Sequence, residues 1–212
     1  PLGVHLRDEL EASDAALGTG RFPGVEGRQV VLFLSRIAPK KRPALLVEAV
    51  ARLRGDFPDL VLLLVGNDAG GMSAVDSAIA RFDAADFVLK AGFVEGLDKR
   101  RAFAQARVFA LPSLDENFGV AVIEAMAHGV PVLVTKGVAA HVYVDAAGCG
   151  ETVSDDVASI TDGLRHLLAQ ERDDVGSRGR AYVRDKLTWP TVARHLDDLY
   201  REAMGRGPCP GA

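Results

Sequence analysis

Three uninterrupted apolar runs, Val30-Val31-Leu32-Phe33-Leu34, Leu60-Val61-Leu62-Leu63-Leu64-Val65 and Val108-Phe109-Ala110-Leu111, constrain this chain more than any other feature. A strand with one wet face alternates apolar and polar residues, whereas a run without alternation is buried on both faces, as in a parallel sheet covered by helices. Phe87-Val88-Leu89 and Val130-Pro131-Val132-Leu133-Val134 read as further strands. Between the runs the apolar period changes to that of helices: Leu45, Leu46, Ala49, Val50 and Leu53 form one buried stripe, and a second helix is expected from about Ser73 to Phe82. Such strand–helix alternation, with no second core pattern, predicts one doubly wound, Rossmann-like α/β domain with a mostly parallel sheet. Ligands of such sheets bind outside the carboxyl ends of the strands.

Composition narrows the function classes. A chain of 212 residues with 48% hydrophobic content can bury a sizeable core, and a net charge of −4 gives no global basic field for nucleic acid or an anionic membrane. Cys149 and Cys209 lie far apart with no metal-ligand spacing, which suits a reducing compartment and rules out a disulfide framework. No apolar run approaches the roughly 18 residues of a membrane span, and no signal-peptide pattern opens the chain, so the expected location is the cytoplasm. Pro1 rather than Met stands first, as in a processed or excised piece of a longer chain.

The densest motif runs from Pro112 to Pro131. Pro112-Ser113 ends an apolar strand in a loop carrying Glu116, a helix is expected to begin near Phe118 or Gly119, and Glu124 then falls in its second turn. On one continuous helix residues eight apart diverge by about 80°, but a loop before the helix lets both carboxylates face one pocket. The N–H groups of Asn117, Phe118 and Gly119 would be the unpaired donors of a helix start, which favours anionic or oxygen-rich ligands. Glutamate is common on exposed helix faces, so the spacing alone is weak; the register of strand, Phe-Gly start and trailing Gly-x-Pro is what makes it specific. Pro-Ser-x-x-Glu-x-Phe-Gly-x-x-x-x-Glu-Ala-Met-Ala-x-Gly-x-Pro resembles the E-x7-E segment of retaining GT-B glycosyltransferases of the group 1, sucrose-synthase-like family. That resemblance implies that Glu124 holds the ribose hydroxyls of a nucleotide-sugar donor and that Glu116 lies beside the transferred sugar, as nucleophile or as electrostatic stabiliser. Asn117 replaces the family's usual glycine.

Other segments fit the resemblance less densely. Arg36 and Lys41 keep the interval of the Arg and Lys that grip the donor diphosphate in the family's Gly-Arg-Leu-x-x-x-Lys-Gly turn, although Ser35 and Arg42 replace the flanking glycines. Two cations on one pyrophosphate would neutralise charge on the leaving nucleotide without a metal or a bound cofactor. Lys40 and Arg42 are expected to be exposed rather than bound. Gly66-Asn67-Asp68 matches the Val-Gly-x-Gly region, with Asp68 at a usual glycine, and Gly92-Phe93-Val94 resembles the turn whose main chain touches the base. Gly137 follows strand five as a further wall; His141 reads as a solvated residue of an exposed loop, and Asp98-Lys99-Arg100-Arg101 as a solvated helix face. Gly148 to Val153 resembles the family's short sixth strand, with helices expected from about 157 to 170 and 176 to 186. After Trp189-Pro190, the stripe Val192, Leu196, Leu199 and Ala203 makes one apolar face that needs a partner.

The expected layout is an interdomain arm over 1–27, a nucleotide-sugar-binding domain over 28–204 and a disordered tail over 205–212. The family's fold has two such domains, so the resemblance implies a donor half that takes a UDP-, GDP- or ADP-sugar and passes the sugar to a hydroxyl acceptor. Its N-terminal acceptor domain would lie in the same full-length chain or in a separate subunit, and peripheral membrane association of the full-length enzyme stays open. The alternatives are a non-catalytic nucleotide-binding module or the donor subunit of a split transferase; a related phosphorylase would call for a cofactor lysine motif, which is not found.

Overall fold

The computed structural model describes residue 18 and residues 20–205, so Pro1 to His5, most of the arm and the tail from 206 onward lie outside the described residues. The apolar runs become β1 (Gln29–Leu34), β2 (Leu60–Val65) and β4 (Ala106–Leu111); β3 (Val88–Gly92), β5 (Val132–Thr135) and β6 (Gly150–Val153) complete a six-stranded sheet of order β3-β2-β1-β4-β5-β6. All neighbouring pairs are parallel, with Leu34 opposite Val65 and Leu111 opposite Val134. β2 is buried at every position, as its lack of alternation requires.

The helices are α1 (Pro43–Leu53), α2 (Met72–Arg81), α3 (Gly96–Gln105), α4 (Val120–Ala127), α5 (His141–Ala147), α6 (Val157–Ala169), α7 (Arg172–Lys186) and α8 (Trp189–Ala203). α1 packs on α2 and α6 over one face, while α4 and α5 pack on α7 over the other. The expected doubly wound domain is thus the one found. Phe33, Phe103 and Phe109 lie fully enclosed between the layers, each contributing roughly 1.5–3 kcal/mol relative to an exposed ring.

The strand order positions the site. The chain moves outward from β1 to β3, crosses back through α3 to β4, and moves outward the other way to β6. The winding therefore reverses between β1 and β4, and sheets of this kind take their ligands beyond the carboxyl ends of the strands at that point.

Three expectations need correction. Phe22 and Val25, in the segment read as an arm, are buried in the core. His141 opens α5 rather than lying in a loop; this short helix is anchored by buried Val144 and closes on left-handed Gly148, but its N-cap, Ala140, has no capping side chain, so its start carries no signal in the sequence. α7 begins at Arg172, with Asp173 and Asp174 in the first turn where the helix dipole favours acids, ahead of the expected Gly176. α8 forms as expected, with Thr188 capping Thr191 N and Pro190 in its first turn, but only Val192 of its stripe is buried, and Leu196 and Leu199 remain exposed.

Candidate functional site

The loops at the reversal point are zipped to one another before any side chain is considered. Past β1, Ser35 N donates to Val65 O at 3.0 Å and Ile37 N to Asn67 O at 2.8 Å, so pairing with the β2 loop continues beyond the strands. A single 3-10 turn, Pro39–Lys41, then leads into α1 through Arg42, a non-glycine at φ 55°. On the other side, Leu114 N and the Ser113 hydroxyl both donate to Lys40 O, at 2.8 and 3.2 Å. Glu116 N donates to Gly137 O at 2.9 Å and Ala139 N to Glu116 O at 3.0 Å, which fixes the Glu116 backbone on both sides. A Cβ on Gly137 would come within 2.2 Å of Leu114 O, so this glycine is required by backbone contact rather than by a ligand.

This scaffold brings Lys41 and Glu116 together. Lys41 is only 3% exposed, and its ammonium contacts Glu116 Oε2. Burial pulls the Lys41 ammonium below its ordinary value, repulsion by Lys40 and Arg36 adds to that, and Asp115 opposes it. The touching Glu116 carboxylate also favours the charged form. Arg36 is exposed, close enough to act on Lys41 through its charge. Lys40 is exposed as expected and faces Asp115 at 3.6 Å, a separation at which exposed ions contribute little. Arg42 differs from expectation: it is partly buried and bonded to Asp155 at 2.8 Å. Its left-handed backbone explains why a glycine would suit that place.

The second glutamate has its own cation. Glu124 Oε1 accepts from Lys99 Nζ of α3 at 2.6 Å, with both side chains about 30% exposed (27% and 31%). Lys99 was read as part of a solvated face, and a pairing of residues 99 and 124 on successive crossover helices, with β4 between them, leaves no local sequence signal. Gly119 is the N-cap of α4 at φ 85°, and no side chain caps the helix. A Cβ there would meet Val138 Cγ1 at 2.9 Å, so Gly119 serves both the turn and the close approach. Asn117 is exposed, and Phe118 packs edge-on against Tyr143 of α5, ring centroids 6.2 Å apart.

The remaining expected residues divide. A Cβ on Gly66 would lie 1.9 Å from Ser35 O, and Gly66 N donates to Gly92 O at 2.8 Å, so both glycines close the sheet edge. Phe93 is 56% exposed, whereas Val94 is buried in the core and can offer only its main chain. Asp68 accepts from the N–H groups of Gly70, Gly71 and Met72, which ties its carboxylate down at the start of α2. His141 is half-buried, its Nδ1 2.9 Å from Val138 O. Among the described residues no three His, Cys, Asp or Glu side chains gather in a metal-ligating group, and no helix is long and apolar enough to cross a membrane.

The profile of "Glycosyl transferases group 1" matches residues 21–182. D-inositol 3-phosphate glycosyltransferase of Mycobacterium bovis (strain BCG / Pasteur 1173P2) is 30% identical over 96% of the chain. This chain spans only 42% of that relative's length. Among solved structures, sucrose-phosphate synthase from Thermosynechococcus elongatus superimposes with a TM-score of 0.79 at 25% identity, over 97% of this chain and 52% of that one. The Anabaena protein HepE, in complex with UDP and glucose, has a TM-score of 0.72 at 20% identity over 92% of this chain and 52% of its own.

Proposed function

The chain belongs to the group 1 glycosyltransferases, and on that premise we propose that it is the donor-binding half of a retaining enzyme that moves a sugar from a nucleoside diphosphate sugar to a hydroxyl acceptor. The observation that carries this reading is the buried Lys41 against Glu116 at the reversal of the sheet, with Arg36 on the same loop and Glu124 on the adjoining helix. Lys41 and Arg36 would take the diphosphate and offset the negative charge that grows on it as the glycosidic bond breaks, with no metal needed. Glu116 would lie at the sugar and stabilise positive charge at its anomeric carbon, and Glu124 would accept hydrogen bonds from the ribose. The exposed ring of Phe93 and the main chain of Gly92 and Val94 would meet the base. The reading agrees with the bound UDP of the Anabaena protein, whose fold this chain shares.

The share of its relatives that the chain covers favours an acceptor half outside these residues. In this reading the isolated chain binds donor but does not turn it over. A thermal-shift screen with UDP, GDP and ADP tests it. Saturation at a hundred times Kd stabilises by about 2.7 kcal/mol, or roughly 5–10 °C for a domain of this size. No shift with any of the three nucleotides at millimolar concentration would refute a donor site.

A further inference from the structure

Lys99 stands in the first turn of α3, where a cation opposes the helix dipole. Its contact with Glu124 is too exposed to add much to folding. Stability therefore does not account for its placement, whereas its neighbours offer a reason. α3 leaves directly from Gly92-Phe93-Val94, so one short segment carries both the exposed Phe93 ring and the ammonium that meets Glu124, 2.6 Å away on the neighbouring helix.

We propose that Lys99 is a positioning residue for ribose recognition, holding the Glu124 carboxylate in place by its contact at Oε1 so that a cis-diol can donate both hydroxyls to it. This rests on the donor-site reading of Glu124. A carboxylate has about four acceptor positions, so one ammonium leaves room for two hydroxyl donors. A nucleotide that covers the site strips water from Glu124, and an uncompensated carboxylate beneath it would be costly; Lys99 supplies the compensating charge from the protein side. Lys99 thus makes the preference for ribose over 2′-deoxyribose depend on a residue that never touches the diphosphate.

The experiment measures, by isothermal titration calorimetry on the full chain, the affinities of UDP, GDP and ADP and of their 2′-deoxy counterparts. Lys99→Met is expected to weaken the ribonucleotide about tenfold and the 2′-deoxynucleotide much less, so that the ratio between them collapses, while Lys99→Arg restores most of it. A melting curve shows whether Lys99→Met is folded, and if it is not, Lys99→Gln reads the same ratio. A ratio unchanged in the folded Lys99 variants overturns the proposal. Glu124→Gln separates the two levels: if it collapses the ratio and the Lys99 variants do not, only Lys99 loses its role. If Glu124→Gln leaves the ratio intact, or if none of the nucleotides binds the unmodified chain, the ribose assignment fails and the Lys99 inference with it.

Discussion

Replacing Glu116 by glutamine should tighten the binding of a nucleoside diphosphate. Under the proposed roles the diphosphate and the Glu116 carboxylate compete for one ammonium, because Lys41 contacts Glu116. Lys41's side chain is 4% exposed and that of Glu116 26%, so water screens the pair poorly on the lysine side. Glutamine still accepts a charge-assisted hydrogen bond from the ammonium but no longer opposes its charge, and losing the attraction of this partly screened ion pair makes displacement easier by roughly 1–1.5 kcal/mol. That corresponds to about five- to tenfold tighter binding of the diphosphate that stabilises the wild-type chain. Removing an anion beside the phosphates acts in the same direction. The parent nucleoside, which lacks phosphates, should bind equally to both proteins. Calorimetry with the two ligands, on a variant whose melting curve remains cooperative, provides the measurement. An affinity for the diphosphate that is unchanged or weaker in Glu116→Gln would refute the competition.

Two further outcomes follow from packing and protonation. Gly66→Ala forces a methyl to within 1.9 Å of Ser35 O at a backbone φ of 146°, so β1 and β2 must part where Gly66 also bonds Gly92; a loss above about 3 kcal/mol is expected, and a urea midpoint within about 1 kcal/mol of wild type would contradict it. Burial pushes the Cys149 thiol from 9.0 up to about 12. The native state then keeps a proton that the unfolded chain loses, so this contribution to stability is intact below pH 9 and declines as the pH rises towards 12. In a Cys209→Ser background Cys149 should react with a thiol reagent only as denaturant unfolds the chain, and rapid labelling in native buffer would show that the site is open.

The fold was legible because its strongest signals are collective. The unbroken run from Leu60 to Val65 has no wet face and admits little but a buried parallel strand, and it is buried along its length. Glu116 and Lys41 could be named individually from their motifs, but their contact is a product of strand order: it exists because β1 neighbours β4, and no local period encodes that adjacency. Lys99 was missed for the same reason, since its partner lies on the next crossover helix, beyond β4. α5 escaped notice because a helix of this length, without a side-chain cap, is specified by the burial of Val144 rather than by propensity. The turn at Arg42 shows the opposite case: sequence flagged a missing glycine, and the backbone keeps the left-handed conformation anyway, with the guanidinium held by Asp155.

The two lysine–glutamate pairs together show how the cations of the proposed anion site are compensated by the chain itself. A pocket meant for a dianionic diphosphate needs cations, and a buried cation without a partner is strongly destabilising. Lys41, on the crossover from β1, rests on Glu116, and Lys99, at the start of the helix after β3, rests on Glu124, so each cation has a carboxylate partner within the chain. In the proposed reading a nucleotide sugar divides its groups between them: its phosphates take over the cation at the first pair, and its hydroxyls join the carboxylate at the second. Exchange at the first pair frees Glu116 towards the sugar only when a diphosphate occupies Lys41, whereas the second pair stays intact and reads the ribose. Mutations at the two lysines should therefore differ in kind, Lys41 governing whether phosphate is bound and Lys99 governing which pentose accompanies it.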